Sequence, residues 1–356
     1  MRRKNLTAKR KAKKKESFKK DLKAKEFYRR FEKIVFDNVK KENFVVAVSG
    51  GPDSLCLAYF SKIYRDKFKN RVSYLIVNHN LRKESGIEAN NVKSILKKKG
   101  IKSKILIWKG KIPLKNIQGN ARNIRYDLLS DYCLKNNIKN IITAHHLDDQ
   151  IENFFIRLFR GSGLTGLSSM QETVDYNNQV KIVRPFLKLE KKNLKYVTSK
   201  YFKTYIKDPS NRNERFLRVR IRKYRKNMER EGLDTKKIIN TVNNLLSANK
   251  AINFYKNKAL QKHASFLSEN ECLINRRLLT DEAEEIIFKS FSDVISLVSG
   301  KYYAPRSKKV LNLINRIKKN KFTKSTLGGC VVDKRDNLIS ITKEQKVKSA
   351  LLRPHK

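Results

Sequence analysis

The sequence predicts an α/β protein. A parallel sheet covered by helices on both faces is followed by a mainly helical C-terminal region that ends in a small β-hairpin. Three observations carry this reading. Short apolar, β-branched runs alternate with stretches of helical periodicity from about residue 44 to 203, and such alternation builds βαβ units around a parallel sheet. The run Phe44-Val45-Val46-Ala47-Val48 breaks abruptly into Ser49-Gly50-Gly51-Pro52-Asp53-Ser54 before a helical pattern starts at Leu55, which reads as strand, tight turn and helix start. From about residue 226 the pattern becomes mostly helical, until Gly328-Gly329 turns the chain into a strand that 338–342 can pair.

Taken in order, residues 1–25 hold thirteen Lys/Arg and two acids, so they read as a disordered or loosely helical arm, either an RNA-binding tail or a solubilising extension. Phe27, Phe31, Ile34 or Val35, and Asn38 recur at helical spacing and predict an amphipathic leading helix. After the first strand and turn come a helix over about 54–65, a strand over 72–77 ending in Asn78-His79-Asn80-Leu81-Arg82, and a helix over 84–99 stopped by Gly100. A third strand over 102–108, a helix over 117–135 and a fourth strand over 138–144, bounded by His145-His146, complete the alternation. The ligand of such a sheet sits at the carboxyl ends of its strands. The Ser49 turn, the His79 loop and the His145 loop are all expected at that edge. A helix over 147–160 opens with acids in its first turn, which the helix dipole favours. Residues 161–166 spell G-x-G-x-x-G, but a helix rather than a strand precedes them, so they are not a dinucleotide fingerprint. Residues 180–184 before Pro185 read as an edge strand and 188–203 as a helix. A turn at Lys207-Asp208-Pro209-Ser210-Asn211 and a basic stretch over 215–225 follow. The remaining helices are expected over 234–262, 280–294 and around Val310, Leu311, Leu313, Ile314 and Ile317.

Composition narrows the function. Lys plus Arg is 83 against 33 Asp plus Glu, a net charge of +50, and such an excess attracts polyanions: RNA, DNA or an anionic membrane. The four cysteines, Cys56, Cys133, Cys272 and Cys330, are far apart with no C-x-x-C pair. That excludes a disulfide framework and a cysteine cluster for zinc or iron–sulfur, and fits a reducing compartment. No apolar run approaches transmembrane length, and the basic N-terminus has no apolar core behind it to make a secretory signal. The expected location is cytoplasmic.

The turn at 49–54 carries the chemistry. Adjacent glycines allow backbone N–H groups to converge on one point, Pro52 suits the first helical position, and Asp53 or Ser54 can cap the helix. A helix N-terminus behind a nest of amides binds anions, and phosphate is the natural guest. The alternative is an ordinary βα turn.

Here the sequence resembles a family. Ser49-Gly50-Gly51-Pro52-Asp53-Ser54 after a strand is similar to the SGGxDS loop of the PP-loop ATP pyrophosphatases, which split ATP between the α- and β-phosphates; no Walker A pattern occurs. Further stretches narrow the resemblance: 77–82, Ala121-Arg122-Asn123-Ile124-Arg125-Tyr126, Ala144-His145-His146-Leu147-Asp148-Asp149-Gln150-Ile151-Glu152, 160–167 and Asp208-Pro209-Ser210-Asn211. In this order and spacing, over about 43–225, they resemble the tRNA(Ile)-lysidine synthetases. The stretch 326–330 resembles that family's C-terminal region more weakly.

The resemblance implies a parallel-sheet adenine-nucleotide (PP-loop) domain over 41–225. A helical linker and C-terminal tRNA-binding region are expected over 226–356, and a basic arm and leading helix over 1–40; the arm before residue 26 lies outside the resemblance. The resemblance implies ATP as substrate, Mg²⁺, free L-lysine, and a tRNA(Ile) with a CAU anticodon; a homodimer is possible. The wobble cytidine (C34) would be adenylated at its C2 oxygen with loss of pyrophosphate. The lysine ε-amine would then displace AMP, giving lysidine and decoding of AUA instead of AUG. Ser49, Gly50, Gly51, Pro52, Asp53, Ser54 and His79 would bind ATP, with Asp53 on Mg²⁺. Arg122 or Arg125 could neutralise phosphate charge. Lysine arrives as an ammonium ion and must lose a proton before it attacks, so carboxylates must attract it. Asp149 and Glu152 share one helix face at i,i+3 and suit that role; Asp148 points elsewhere. Arg218 could meet lysine's carboxylate, with Arg220 and Arg222 as competitors. His145 and Asp149 also have metal-ligand spacing, but no third ligand can be placed.

Two positions depart from the family pattern: Asn78 stands where Asp is usual before the His, and Asn153 where Thr is usual after the Glu. Two rival functions remain. A PP-loop tRNA thiolase would need sulfur-carrying or cluster-binding cysteines. A non-catalytic basic RNA-binding protein on the same fold would lack the acids at 148–152 or Asp53.

Overall fold

A computed structural model describes residues 18, 20–80, 84–110, 117–168, 170–176, 179–206, 213–301, 304–319 and 322–345. The basic arm over 1–17, Leu81-Arg82 of the His79 loop and the turn at 207–211 lie outside the described residues. The chain divides into two units at Val242/Asn243.

The first unit holds helix α1 (Leu22–Val39), then β1 (Phe44–Ala47), α2 (Pro52–Phe68), β2 (Val72–Asn78), α3 (Ser85–Lys97), β3 (Ser103–Ile107), α4 (Ile117–Lys135) and β4 (Asn140–Ile142). Helix α5 (Leu147–Leu158), the short α6 (Leu164–Leu167), β5 (Thr173–Tyr176), β6 (Val180–Val183), α7 (Lys191–Tyr201) and α8 (Leu217–Arg230) follow. The strand order is β3-β2-β1-β4-β6-β5, parallel except for the antiparallel edge strand β5. The strands alternate inward-facing residues to the two faces, as a pleated strand must. Phe44 and Val46 pack with Phe31, Val35, Leu55, Phe60, Val92 and Leu194 on one face. Val45 packs with Leu75, Leu129, Cys133 and Ile141 on the other. Both faces are therefore covered, as the apolar strands predicted.

Three local expectations change. Strand β6 is not an edge strand: it pairs with β4 on one side and β5 on the other. Pro185 lies beyond its last paired residue, Val183, so it removes no ladder hydrogen bond. The end of the basic arm is structured, because Phe18 packs edge-on against Tyr28, Tyr59 and Tyr201. There the buried Asp21 carboxylate accepts the Ala24 N–H at 3.0 Å and caps α1. Strand β5 has no counterpart in the sequence reading; its burial is mixed and its sequence, Thr-Val-Asp-Tyr, is short.

Helix α9 (Thr235–His263) crosses the division. The second unit continues with β7 (Ala264–Ser268), β8 (Glu271–Asn275), α10 (Leu278–Asp281), α11 (Glu284–Ser299), α12 (Ser307–Lys318), β9 (Lys324–Leu327), β10 (Cys330–Arg335) and β11 (Leu338–Lys343). The expected hairpin of β10 and β11 is present and belongs to a five-stranded antiparallel sheet, β7-β8-β11-β10-β9. Gly328 and Gly329, both at positive φ, make the two-residue turn that joins β9 to β10. Phe291, Val294, Ile295, Val310, Ile314 and Ile317 of α11 and α12 pack with Ile274, Val332, Ile339 and Ile341 of the sheet.

Candidate active site

The sheet order places β1 and β4 side by side, although β2 and β3 intervene in sequence. The chain runs outward from β1 in one direction and resumes on its other side. At such a switch point the connections leaving two neighbouring strands separate and open a crevice. The Ser49 turn leaves β1 and the His145-His146 pair leaves β4, so both enter that crevice.

The turn is tied by one side chain. Ser54, buried, accepts the N–H groups of Ser49 at 3.2 Å and Gly50 at 3.0 Å, and donates to the Gly51 carbonyl at 3.1 Å. The Ser49 hydroxyl lies 3.2 Å from the Ser54 hydroxyl. The Gly50 N–H is therefore consumed inside the turn, and Ser54 acts as its knot. Gly50 has φ +85, and a Cβ there would stand 2.3 Å from Val92 Cγ2, so both conformation and space demand glycine. Gly51 is the N-cap and Pro52 the first residue of α2, where a missing N–H costs nothing. The first-turn N–H groups of Asp53 and Ser54 have no intrahelical acceptor. Thr198 of α7 donates its hydroxyl to the Pro52 carbonyl at 2.5 Å and pins the helix start.

Asp53 leans toward the second loop. Its Oδ2 lies 3.5 Å from His146 Nε2 and 3.9 Å from Lys191 Nζ. Its Oδ1 is buried and has no hydrogen-bond partner among the described residues. An acceptor-only oxygen buried without a partner fits a cation, and Mg²⁺ needs only one or two carboxylates when phosphates supply the rest.

His146 is the N-cap of α5. Its Nδ1 accepts the Asp149 N–H at 3.4 Å while Asp149 Oδ2 accepts the His146 N–H at 3.2 Å, a reciprocal capping arrangement. Its Nε2 also stands 3.4 Å from Asp149 Oδ2. Burial opposes a charged imidazole here, but the Asp53 and Asp149 carboxylates outweigh it and hold His146 above its ordinary value. His145 goes the opposite way. It bonds Thr143 Oγ1 at 2.9 Å, and burial together with Arg122, Arg184, Arg125 and Arg218 pushes it well below its ordinary value. It therefore belongs to a basic cluster and is not paired with Asp149.

The acidic helix is matched by α8. Glu152, 3 % exposed, receives Arg222 in a two-pronged contact at 2.6 and 3.1 Å, and Arg218 Nε stands 3.2 Å away. Asp148 accepts the Lys191 N–H at 2.8 Å and Arg225 at 2.8 Å. Burial raises its pKa, but those two donors win and hold the carboxyl below its ordinary value. Asp148 thus joins α5 to α7 and α8, and its Oδ2 also lies 3.8 Å from His146 Nδ1, across the ring from the Nε2 that faces Asp149. Arg220 turns to the Glu214 and Arg215 carbonyls instead.

On the remaining side, His79 Nε2 lies 3.3 Å from Arg125, and burial with that guanidinium pushes His79 down to about 4. Arg122 lies over the Tyr126 ring at 5.4 Å. Asn78 Oδ1 accepts the Asn80 N–H at 2.9 Å; the amide keeps the loop's Asx turn at the position where the family pattern has Asp. All four cysteines are buried and unpaired by disulfides, and among the described residues no group of three His, Cys, Asp or Glu could hold a metal ion.

The structure therefore gathers Asp53 of the 49–54 turn and Asp149 on His146, pairs Glu152 with Arg218 between α5 and α8, and sets Arg122 beside His145 and His79 beside Arg125 of α4. The sequence reading missed His146, Lys191 and Arg184. His146 carried a usable signal, since it precedes Leu147 with an acid three residues on, the spacing of a capping box.

Comparison with known proteins identifies the family. Residues 23–227 match the PP-loop domain family. The chain is 33% identical over 306 residues to the tRNA(Ile)-lysidine synthase of Orientia tsutsugamushi (strain Boryong), covering 84% of this chain and 69% of that protein. It is 34% identical over 318 residues to that of Wolbachia pipientis wMel, covering 88% and 74%. Among solved structures, a U34-tRNA thiolase from Methanococcus maripaludis with its [4Fe-4S] cluster has a TM-score of 0.56 over 64% of this chain and 81% of that one. At 21% identity that likeness concerns the fold alone. Among the described residues no helix is long and apolar enough to cross a membrane. With the family match spanning most of the first unit and relatives of this identity covering most of both chains, the chain belongs to the tRNA(Ile)-lysidine synthase family, built on the PP-loop fold.

Proposed function

We propose that the chain is a cytoplasmic ligase that joins L-lysine to C2 of the wobble cytidine of a tRNA(Ile) with a CAU anticodon, consuming ATP. One observation carries this reading. At the switch point of the sheet a phosphate-type turn and an acidic helix start lie side by side, with Asp53 of one and Asp149 of the other on the same imidazole. An anion site for activation and an anionic site for an amine are what the two steps require.

In the first step the cytidine C2 oxygen attacks the α-phosphorus of ATP, and the bond to the β-phosphate breaks. Donors at the start of α2 meet the departing pyrophosphate: the Gly51 end of the turn and the first-turn N–H groups of Asp53 and Ser54, with the Ser49 hydroxyl joining them on release from Ser54. Ser54, Gly50 and Pro52 shape the turn that holds them. Asp53 would hold Mg²⁺, which when bound neutralises charge on the phosphates. Arg122 offsets phosphate charge from α4, and His79, neutral near pH 7, lines the nucleotide side with Arg125. In the second step the lysine ε-nitrogen, stripped of a proton, attacks C2, and AMP leaves with the former C2 oxygen. Asp149 and Glu152 attract the ammonium and Arg218 the lysine carboxylate. Glu152 already faces two guanidiniums, Arg222 and Arg218, so Asp149 supplies the negative charge left over for the lysine ammonium.

The test is incubation with ATP, labelled lysine and a CAU-anticodon tRNA(Ile) transcript. Label at the wobble cytidine is expected. Sulfur transfer, or binding of the RNA with no incorporation, would overturn the reading.

A further inference from the structure

His146 is fixed before any ligand arrives. Its backbone makes a parallel bridge to Phe186, the next residue's N–H bonds the Leu189 carbonyl at 2.9 Å, and the residue is 1 % exposed. The ring nitrogens do different work. Nδ1 accepts the Asp149 N–H, so in that tautomer the hydrogen sits on Nε2. Nε2 faces Asp53 Oδ2 at 3.5 Å and Asp149 Oδ2 at 3.4 Å. Those carboxylates begin two different helices that leave two neighbouring strands. No described backbone hydrogen bond joins the 49–54 turn to the start of α5; side chains join them, the imidazole directly and Lys191 through its ammonium 3.9 Å from Asp53 Oδ2 and its N–H on Asp148. The imidazole's contact with Asp53 Oδ2 also leaves Oδ1 as the unpartnered oxygen.

Resting on the function proposed above, we infer that His146 is a positioning residue that couples the two half-reactions. Its Nε2 side holds Asp53 of the nucleotide half and Asp149 of the lysine half in one fixed geometry. His146 touches neither substrate. It sets which oxygen Asp53 presents and where Asp149 stands when the lysine ammonium arrives. A mere helix cap would use Nδ1 alone.

Two replacements separate these roles, because an asparagine amide reaches about as far as Nδ1 and a glutamine amide about as far as Nε2. H146N keeps an N-cap acceptor and loses the bridge; H146Q keeps a donor toward Asp53 and Asp149 and loses the cap. Each is assayed for tRNA-dependent ATP–pyrophosphate exchange and for KM of lysine in the complete reaction, with thermal melts alongside. If the bridge positions both carboxylates, H146N loses about a hundredfold in both half-reactions, the scale of an ångström-size misplacement, and H146Q recovers most of it despite a lower Tm. Overturning results are H146N within about threefold of the parent in both assays, H146Q as inactive as H146N while still folded, or a loss confined to one half-reaction. A parent chain that fails to incorporate lysine at all would instead overturn the proposed function.

Discussion

The Glu152 carboxylate is buried against Arg222, with Nε 2.6 Å from one oxygen and Nη2 3.1 Å from the other. A buried carboxylate paired this well cannot lose its partner cheaply, because the remaining charge is left in a poor solvent. Arg222→Ala is expected to cost about 2 kcal/mol, less than a fully buried pair because Arg218 remains beside Glu152 and Arg222 is partly exposed. Urea unfolding measures this. Arg222→Lys should recover little, since an ammonium cannot make the two-pronged contact.

Asp53 presents an unpartnered oxygen at the start of α2. Asp53→Asn should abolish ATP–pyrophosphate exchange while leaving tRNA affinity within about twofold, because most of that affinity is expected from Lys and Arg contacts to phosphates away from Asp53. A filter-binding titration beside the exchange assay separates the two. Lost tRNA binding would show that Asp53 supports the fold rather than the chemistry.

The two glycines of the turn should respond differently. Gly50→Ala forces a side chain into a φ of +85 and against Val92, so about 2 kcal/mol of stability and most ATP binding should go. Gly51 has φ −71, and a Cβ there would meet only Ser49 Oγ, at an ordinary contact distance of 3.9 Å. Gly51→Ala should therefore fold with nearly the parent Tm. Equal melting temperatures for the two variants would contradict this difference.

His79 makes stability depend on acid. In the folded chain it takes a proton only near about 4, against 6.5 for a free imidazole. Between those values the unfolded chain binds the extra proton, so stability falls as pH drops from 6.5 toward 4 and this contribution levels off below that. Urea midpoints across that range should fall less steeply for His79→Gln than for the parent.

Local sequence was enough to specify the alternation that makes a parallel sheet, the strand–turn–helix at 44–55, and the acidic start of the helix at 147. β-Branched runs, Gly-Gly-Pro and helix-dipole acids report their conformations within a few residues. The pattern of motifs also named the family. Other features depend on partners far away in the chain, and these were settled only by the folded arrangement. Residues 180–183 form an inner strand because β5 covers them. Residues 264–275 add strands β7 and β8 to what reads locally as a lone hairpin. Glu152 finds Arg222 seventy residues on. Asp148 and Asp149, adjacent in sequence, flank opposite nitrogens of His146, and only Asp148 reaches Lys191 and Arg225, because successive helical residues are about 100° apart. The imidazole of His146 reaches Asp53 only because β1 and β4 lie side by side, a pairing that hydrophobic periodicity cannot specify.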